Sequence, residues 1–118
     1  YLTPGCASVW SQKVLRSAQG AHFSIQIHEQ VEGLELLEKA GLPVLVTSLG
    51  PDTQDLYESA LPAHAIWVFG NEGQGVSPAL LVKASQRLFI PQAPGVEALN
   101  VAIATALCLY EQRRQHRK

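Results

Sequence analysis

The chain predicts an α/β domain, a mostly parallel β-sheet with helices on both faces. Three observations carry that prediction. Short apolar runs alternate with stretches of helical periodicity along the whole length, the order of βα units rather than of hairpins. Val44-Leu45-Val46 and Ala65-Ile66-Trp67-Val68-Phe69 are apolar without alternation, as strands covered on both faces are. Two loops rich in glycine or proline follow apolar runs and lead into helical ones, where open α/β sheets hold their ligands.

Each element has its own signal. Ser8 to Ala18 has Val9, Leu15 and Ala18 as inner residues of a short helix, ended by Gly20. His22 to Ile27 alternates, with Phe23, Ile25 and Ile27 on one face, and predicts a strand. Glu29 to Ala40 places Val31, Leu34 and Leu37 at helical spacing, with Gly41 at its end and Pro43 beyond. Val44 to Val46 is a buried strand. Asp52 to Ser59 reads as a short helix capped by Asp52, with Leu56 and Tyr57 facing in. Ala65 to Phe69 is the next strand. Ser77 followed by Pro78 reads as an N-cap with proline at the first position of a helix reaching Ala84. Leu88-Phe89-Ile90 is the last strand, and Ala98 to about Gln115 the last helix. No internal repeat, linker or low-complexity segment interrupts this order.

Composition narrows the class. The 118 residues suffice for one domain, read as 1–118. Charged residues make up 16 %, low against a typical quarter, so much surface is available for burial on a partner. No apolar run has the length of a membrane span, and no basic-then-apolar leader opens the chain. Cys6 and Cys108 have no metal spacing, and His22, His28, His64 and His116 are scattered; no metal is expected. Cys108 lies in an apolar helical run and reads as a small core residue. The expected compartment is the cytoplasm. The formal net charge is −1, and Arg113, Arg114, Arg117 and Lys118 lie in the last six residues; without those four positive charges the rest carries −5. Such a tail suits the helix dipole as well as a phosphate backbone.

Chemistry concentrates in the two loops. Gly70, Gly73 and Gly75 lie within six residues, with Asn71 and Glu72 between the first two. The spacing is not G-x-G-x-x-G, and the Lys-Ser/Thr ending of a phosphate loop is absent. The glycines alone fit an ordinary βα turn equally well. The second segment, Phe89 to Ala102, again runs strand, loop, helix, with Pro91, Pro94 and Gly95 holding an extended loop. The final helix is apolar nearly all the way round, with Leu99, Val101, Ile103, Ala106, Leu107, Leu109 and Tyr110. A helix of that kind is covered on every side, by its own domain or by a second subunit.

Together, FGNEGQGVS at 69–77 and IPQAPGVEALNVAIA at 90–104 resemble the last two signature motifs of the SpoU-type, TrmH-like branch of the SPOUT methyltransferases. Lys13 to Phe23 resembles the family segment ahead of its third strand. The resemblance covers essentially the whole chain. It implies an S-adenosylmethionine-dependent enzyme that methylates a ribose 2′-hydroxyl of tRNA or rRNA. It implies a deep trefoil knot, which general rules of topology would exclude, and a homodimer packed through the C-terminal helix. It assigns Gly70, Gly73, Gly75, Ile90, Gln92 and Leu99 to the cofactor pocket, and Glu72, Asn100 and Asn71 to the active site. Read as residues alone, Ile90 and Leu99 serve packing, and Asn100 serves equally well to cap or tie down the loop before it.

Two departures from the family pattern stand out. Its first motif, with an asparagine and the arginine that is its main catalytic candidate, is not found here. The first βα unit is therefore expected to be missing, the 118 residues forming the C-terminal two-thirds or more of the domain and being inactive alone. Ala98 and Ala102 also stand where the family usually carries serine. The alternative is a degenerate, non-catalytic relative that dimerises or binds RNA or cofactor.

Overall fold

The computed structural model describes residues 1–6, 8–70, 75–95 and 99–117. They form two compact units, Tyr1–Leu36 and Leu37–Lys118.

In the first unit, helix α1 spans Gln12–Ala18, with the Ser11 hydroxyl accepting from the Val14 N–H at 3.3 Å. Gln19 (φ 50°) and Gly20 (φ 87°) turn the chain through left-handed conformations. A 3-10 turn, Ala21–Phe23, follows. The strand expected over His22 to Ile27 does not form, and Phe23 is 92 % exposed. An alternating run becomes a strand only against a partner ladder. Here the backbone bonds lie beyond it, from Leu2 N to His28 O (2.7 Å) and from Val31 N to Leu2 O (2.8 Å). Helix α2 is Gly33–Ala40, shorter than the expected Glu29 to Ala40. Gln30 at φ 54° breaks any earlier helical path. Gly41 at φ 67° ends α2 as anticipated.

The second unit holds a four-stranded sheet in the order β2-β4-β1-β3, every pair parallel. The strands are β1 (Val44–Thr47), β2 (Gln54–Asp55), β3 (Ile66–Val68) and β4 (Gln86–Phe89). Strand β1 lies inside the sheet, and its side chains alternate between two cores. On one face Leu45 packs with Leu56, Leu61, Leu88, Ile90 and Cys108, flanked by Ala104 and Leu107. On the other, Val44 and Val46 pack with Leu37, flanked by Leu80 and Leu81. Helix α4 (Val101–His116) thus covers one face, and Leu37 with α3 (Pro78–Leu81) the other. The expected α/β class, with helices on both faces, is present. Leu45 is fully buried, and truncating such a leucine to alanine costs about 2–5 kcal/mol.

Several local expectations change. The helix expected over Asp52 to Ser59 is strand β2 followed by a 3-10 turn, Leu56–Glu58. Its cap is Asp55, which accepts from Tyr57 N at 2.8 Å, rather than Asp52. Leu56 faces in, but Tyr57 is 46 % exposed. One three-residue turn has a single inward position, so the pair cannot both be core. Ser77 does precede a helix with Pro78 at its start, although its hydroxyl makes no capping bond and the helix ends at Leu81, short of the expected Ala84; the last strand is Gln86–Phe89 rather than Leu88 to Ile90.

Polar bonds fasten the far end of α4. The Gln115 carboxamide accepts from Leu61 N (2.8 Å) and donates to Ser59 O (2.9 Å). Glu111, buried, takes two bonds from Arg114, at 2.7 and 2.8 Å, and one from Gln115. Bonds from Arg114 and then Gln115 hold the Glu111 carboxyl down at about 2. On the opposite side α4 leaves Ile103, Leu109 and Tyr110 exposed, Tyr110 at 72 %.

Candidate functional site

All strands are parallel, so their carboxyl ends share one edge, the ligand edge of open α/β sheets. Three loops leave it. The loop after β3 begins at Phe69-Gly70, the loop after β4 at Ile90, and the loop after β1 at Ser48, whose N–H reaches Leu88 O at 2.9 Å. Strand β1 lies between β3 and β4, so the two signature loops start two strand spacings apart, about 10 Å. The loop after β1 was not singled out from sequence; the signal was Gly50-Pro51 directly behind an apolar run.

Gly70 stands where no other residue fits. A Cβ there would lie 2.0 Å from the Gly75 carbonyl carbon, 2.3 Å from Val76 N and 2.4 Å from Gly75 O. The loop therefore returns onto its own start, backbone against backbone, and Gly75 makes the return at φ 68°. Gly95 takes φ 85° in the second loop. Asn71, Glu72 and Gly73 lie outside the described residues.

Ile90 is buried in the same apolar cluster that Phe69 and Leu99 flank. Residues from both signature segments thus share one wall. Asn100 caps α4, its Oδ1 accepting from Ala102 N (2.8 Å) and Ile103 N (3.4 Å). The capping role left open by the sequence is the one its oxygen performs. Gln92 Oε1 is buried and has no hydrogen-bond partner among the described residues. A buried acceptor left unpaired costs about 1–3 kcal/mol, so this oxygen calls for a donor. Backbone groups at Gly70 and Gly75, apolar walls at Ile90 and Leu99, and the Gln92 acceptor together fit a neutral, flat, hydrogen-bonding group such as an adenosine.

Burial pushes the Cys108 thiol up to about 12, which leaves it inert. Among the described residues no group of three or more His, Cys, Asp or Glu could hold a metal ion. No described helix is long and apolar enough to cross a membrane.

Fold and edge together define a parallel α/β domain with two glycine- or proline-rich loops leaving the carboxyl edge of its sheet. More narrowly, the chain belongs to the SpoU rRNA Methylase family, whose model matches residues 1–110. It is 43 % identical over 119 residues to an uncharacterized tRNA/rRNA methyltransferase of Synechocystis, covering 98 % of this chain and 43 % of that one. It is 37 % identical to the 23S rRNA (guanosine(2553)-2′-O)-methyltransferase of Bacillus subtilis, covering 95 % and 46 %. The structure of an AdoMet-bound rRNA methyltransferase from Sinorhizobium meliloti superposes with a TM-score of 0.83 at 27 % identity, over 95 % of this chain and 44 % of that one. The chain spans less than half the length of each of these relatives.

Proposed function

We propose that the protein is an S-adenosylmethionine-dependent methyltransferase acting on a ribose 2′-hydroxyl of tRNA or rRNA. The observation that carries this reading is the shared edge. Three features support it: the backbone of Gly75 lying against Gly70, the apolar cluster shared by Ile90, Phe69 and Leu99, and the buried Gln92 oxygen, which has no partner among the described residues. The donor, when bound, supplies a methyl group on a sulfonium. The chain's part is to hold and orient. Backbone N–H and C=O groups at Gly70, Gly73 and Gly75 take the adenine edge, Ile90 and Leu99 its faces, and Gln92 a hydroxyl or amino group. Glu72, with Asn71 beside it, orients the RNA hydroxyl or the group that takes its proton. The Asn100 amide NH2 contributes a donor, its oxygen being held by the cap. In-line transfer depends on this positioning.

The same reading covers the remaining expectations. Residues 1–118 belong to one methyltransferase domain with the family's knot, and the compartment is the cytoplasm. A second copy covers the exposed Ile103, Leu109 and Tyr110 stripe of α4, apolar side chains whose removal from water is favourable. Alanine at positions 98 and 102, where the family usually has serine, favours one other reading, a relative that binds cofactor or RNA without turnover.

The test is methyl transfer from labelled donor into bulk tRNA and rRNA by the full-length protein, with nuclease digestion to locate the label. Label on ribose, lost in Glu72→Ala, is the expected result. Label on a base refutes the assignment. Binding of S-adenosylhomocysteine without any transfer supports the non-catalytic reading.

A further inference from the structure

We propose that Gln112, far along α4 from the site, is a positioning residue for the glycine loop and acts through the Trp67–Phe69 ring pair. The inference rests on the cofactor reading above.

Gln112 uses both ends of its carboxamide. Its Oε1 accepts from the Trp67 indole Nε1–H at 3.0 Å, and its Nε2 donates to Pro62 O at 2.8 Å. The two bonds fix the amide's orientation, and no apolar or acidic replacement can make both. The Trp67 indole is held by this acceptor and in turn stacks on Phe69, centroids 5.8 Å apart and planes 10° from parallel. That separation lies in the range where aromatic pairs attract. Both rings stand on the same face, as residues two apart along an extended chain do.

Phe69 is the last residue before Gly70. At Gly70 there is no slack, because the Gly75–Val76 backbone fills the space a Cβ would occupy. A displaced Phe69 therefore moves the returning limb of the loop with it. The other end of α4 reaches the site directly, through Leu99 and the Asn100 cap. Gln112 lies twelve residues beyond Asn100, about 18 Å along the helix. One helix thus touches the second signature segment at its start and steers the first from near its end. The chain of contacts is continuous and packed, the condition under which distant side chains couple.

The experiment is a double-mutant cycle on the full-length protein, with Gln112→Leu, Phe69→Leu and the pair. S-adenosylhomocysteine affinity is read by calorimetry, and amide exchange at Gly70 and Gly75 by NMR without ligand. Each single change is expected to weaken binding about tenfold, and the pair no more than either alone, because both break one linkage. Exchange at Gly70 and Gly75 should speed up in Gln112→Leu. Additive losses, or wild-type exchange and affinity in Gln112→Leu, would overturn the proposal. A general loss of packing would give additive losses, so it cannot mimic the expected result. Should Gln112→Leu not fold, Trp67→Phe removes the same N–H while keeping a ring against Phe69. A wild-type protein that takes no S-adenosylhomocysteine refutes the cofactor reading instead, and the exchange measurement then decides the linkage by itself.

Discussion

Adding one methyl group at Gly70 tests the loop geometry directly. In Gly70→Ala the new Cβ would sit 2.0 Å from the Gly75 carbonyl carbon, whereas real Cβ atoms essentially never approach within 3.0 Å. The atoms in the way are backbone, so no side chain can swing aside. The two limbs of the loop must part by about 1 Å, a displacement that can lower a rate on the order of a hundredfold where positioning matters. Overpacking of this kind costs about 2 kcal/mol, which corresponds to a fall in Tm of roughly 8 °C in a domain of this size. Gly75→Ala is the matched control. Space is open around it, but φ is 68°, so only the left-handed penalty of about 1–2 kcal/mol applies. Both variants should melt early, and Gly70→Ala should also lose most of its affinity for S-adenosylhomocysteine. Calorimetry and thermal melting on the full-length protein read the two effects. Wild-type affinity and Tm in Gly70→Ala would show that the loop does not close on itself as described.

Three further outcomes follow from the same geometry. Asn100→Ala should lower stability by about 1 kcal/mol through the lost cap, while Asn100→Asp keeps the cap; methyl transfer retained in Asn100→Asp would show that the amide NH2 has no part in the chemistry. Glu111 is held at about 2 against an ordinary 4.5, so its contribution to stability is complete above pH 4.5 and lost as pH falls through about 2. Urea midpoints taken down to acid pH should lose part of this slope in Arg114→Leu, and an unchanged slope would remove Arg114 as the cause. Replacing the exposed Ile103 of α4 by Glu should shift sedimentation from dimer to monomer with the fold intact, and a wild-type monomer at micromolar concentration would refute the interface.

Legibility varied with the kind of signal. The runs at Val44–Val46 and Ala65–Phe69 became β1 and β3 within a residue or two, because continuous apolar composition reports burial on both faces. The run over 22–27 had the right alternation and no partner, and a strand is a property of pairs. Strand β2 is two residues long and polar, so no periodicity could announce it. At the site, the loops were visible through glycine and proline, whose backbone demands are local. The Asn100 cap was visible as one of two options. Gln112 was not visible at all. A glutamine in a basic, polar helix end reads as a solvent face, and only the tertiary position of Trp67 gives it a task.

The strand order also governs how the domain is reached from the unfolded chain. No two neighbours in β2-β4-β1-β3 follow each other in sequence. Every ladder joins segments roughly 20–40 residues apart, so each must close a long loop before its first hydrogen bond forms. Nothing in the sheet can nucleate as a hairpin. A topology of this kind folds slowly, on a scale of about milliseconds to seconds, and Val44-Leu45-Val46 has only Leu37 before it to pack on meanwhile. That apolar run is open to wrong partners during synthesis, because its helices α3 and α4, both C-terminal to it, are made after it.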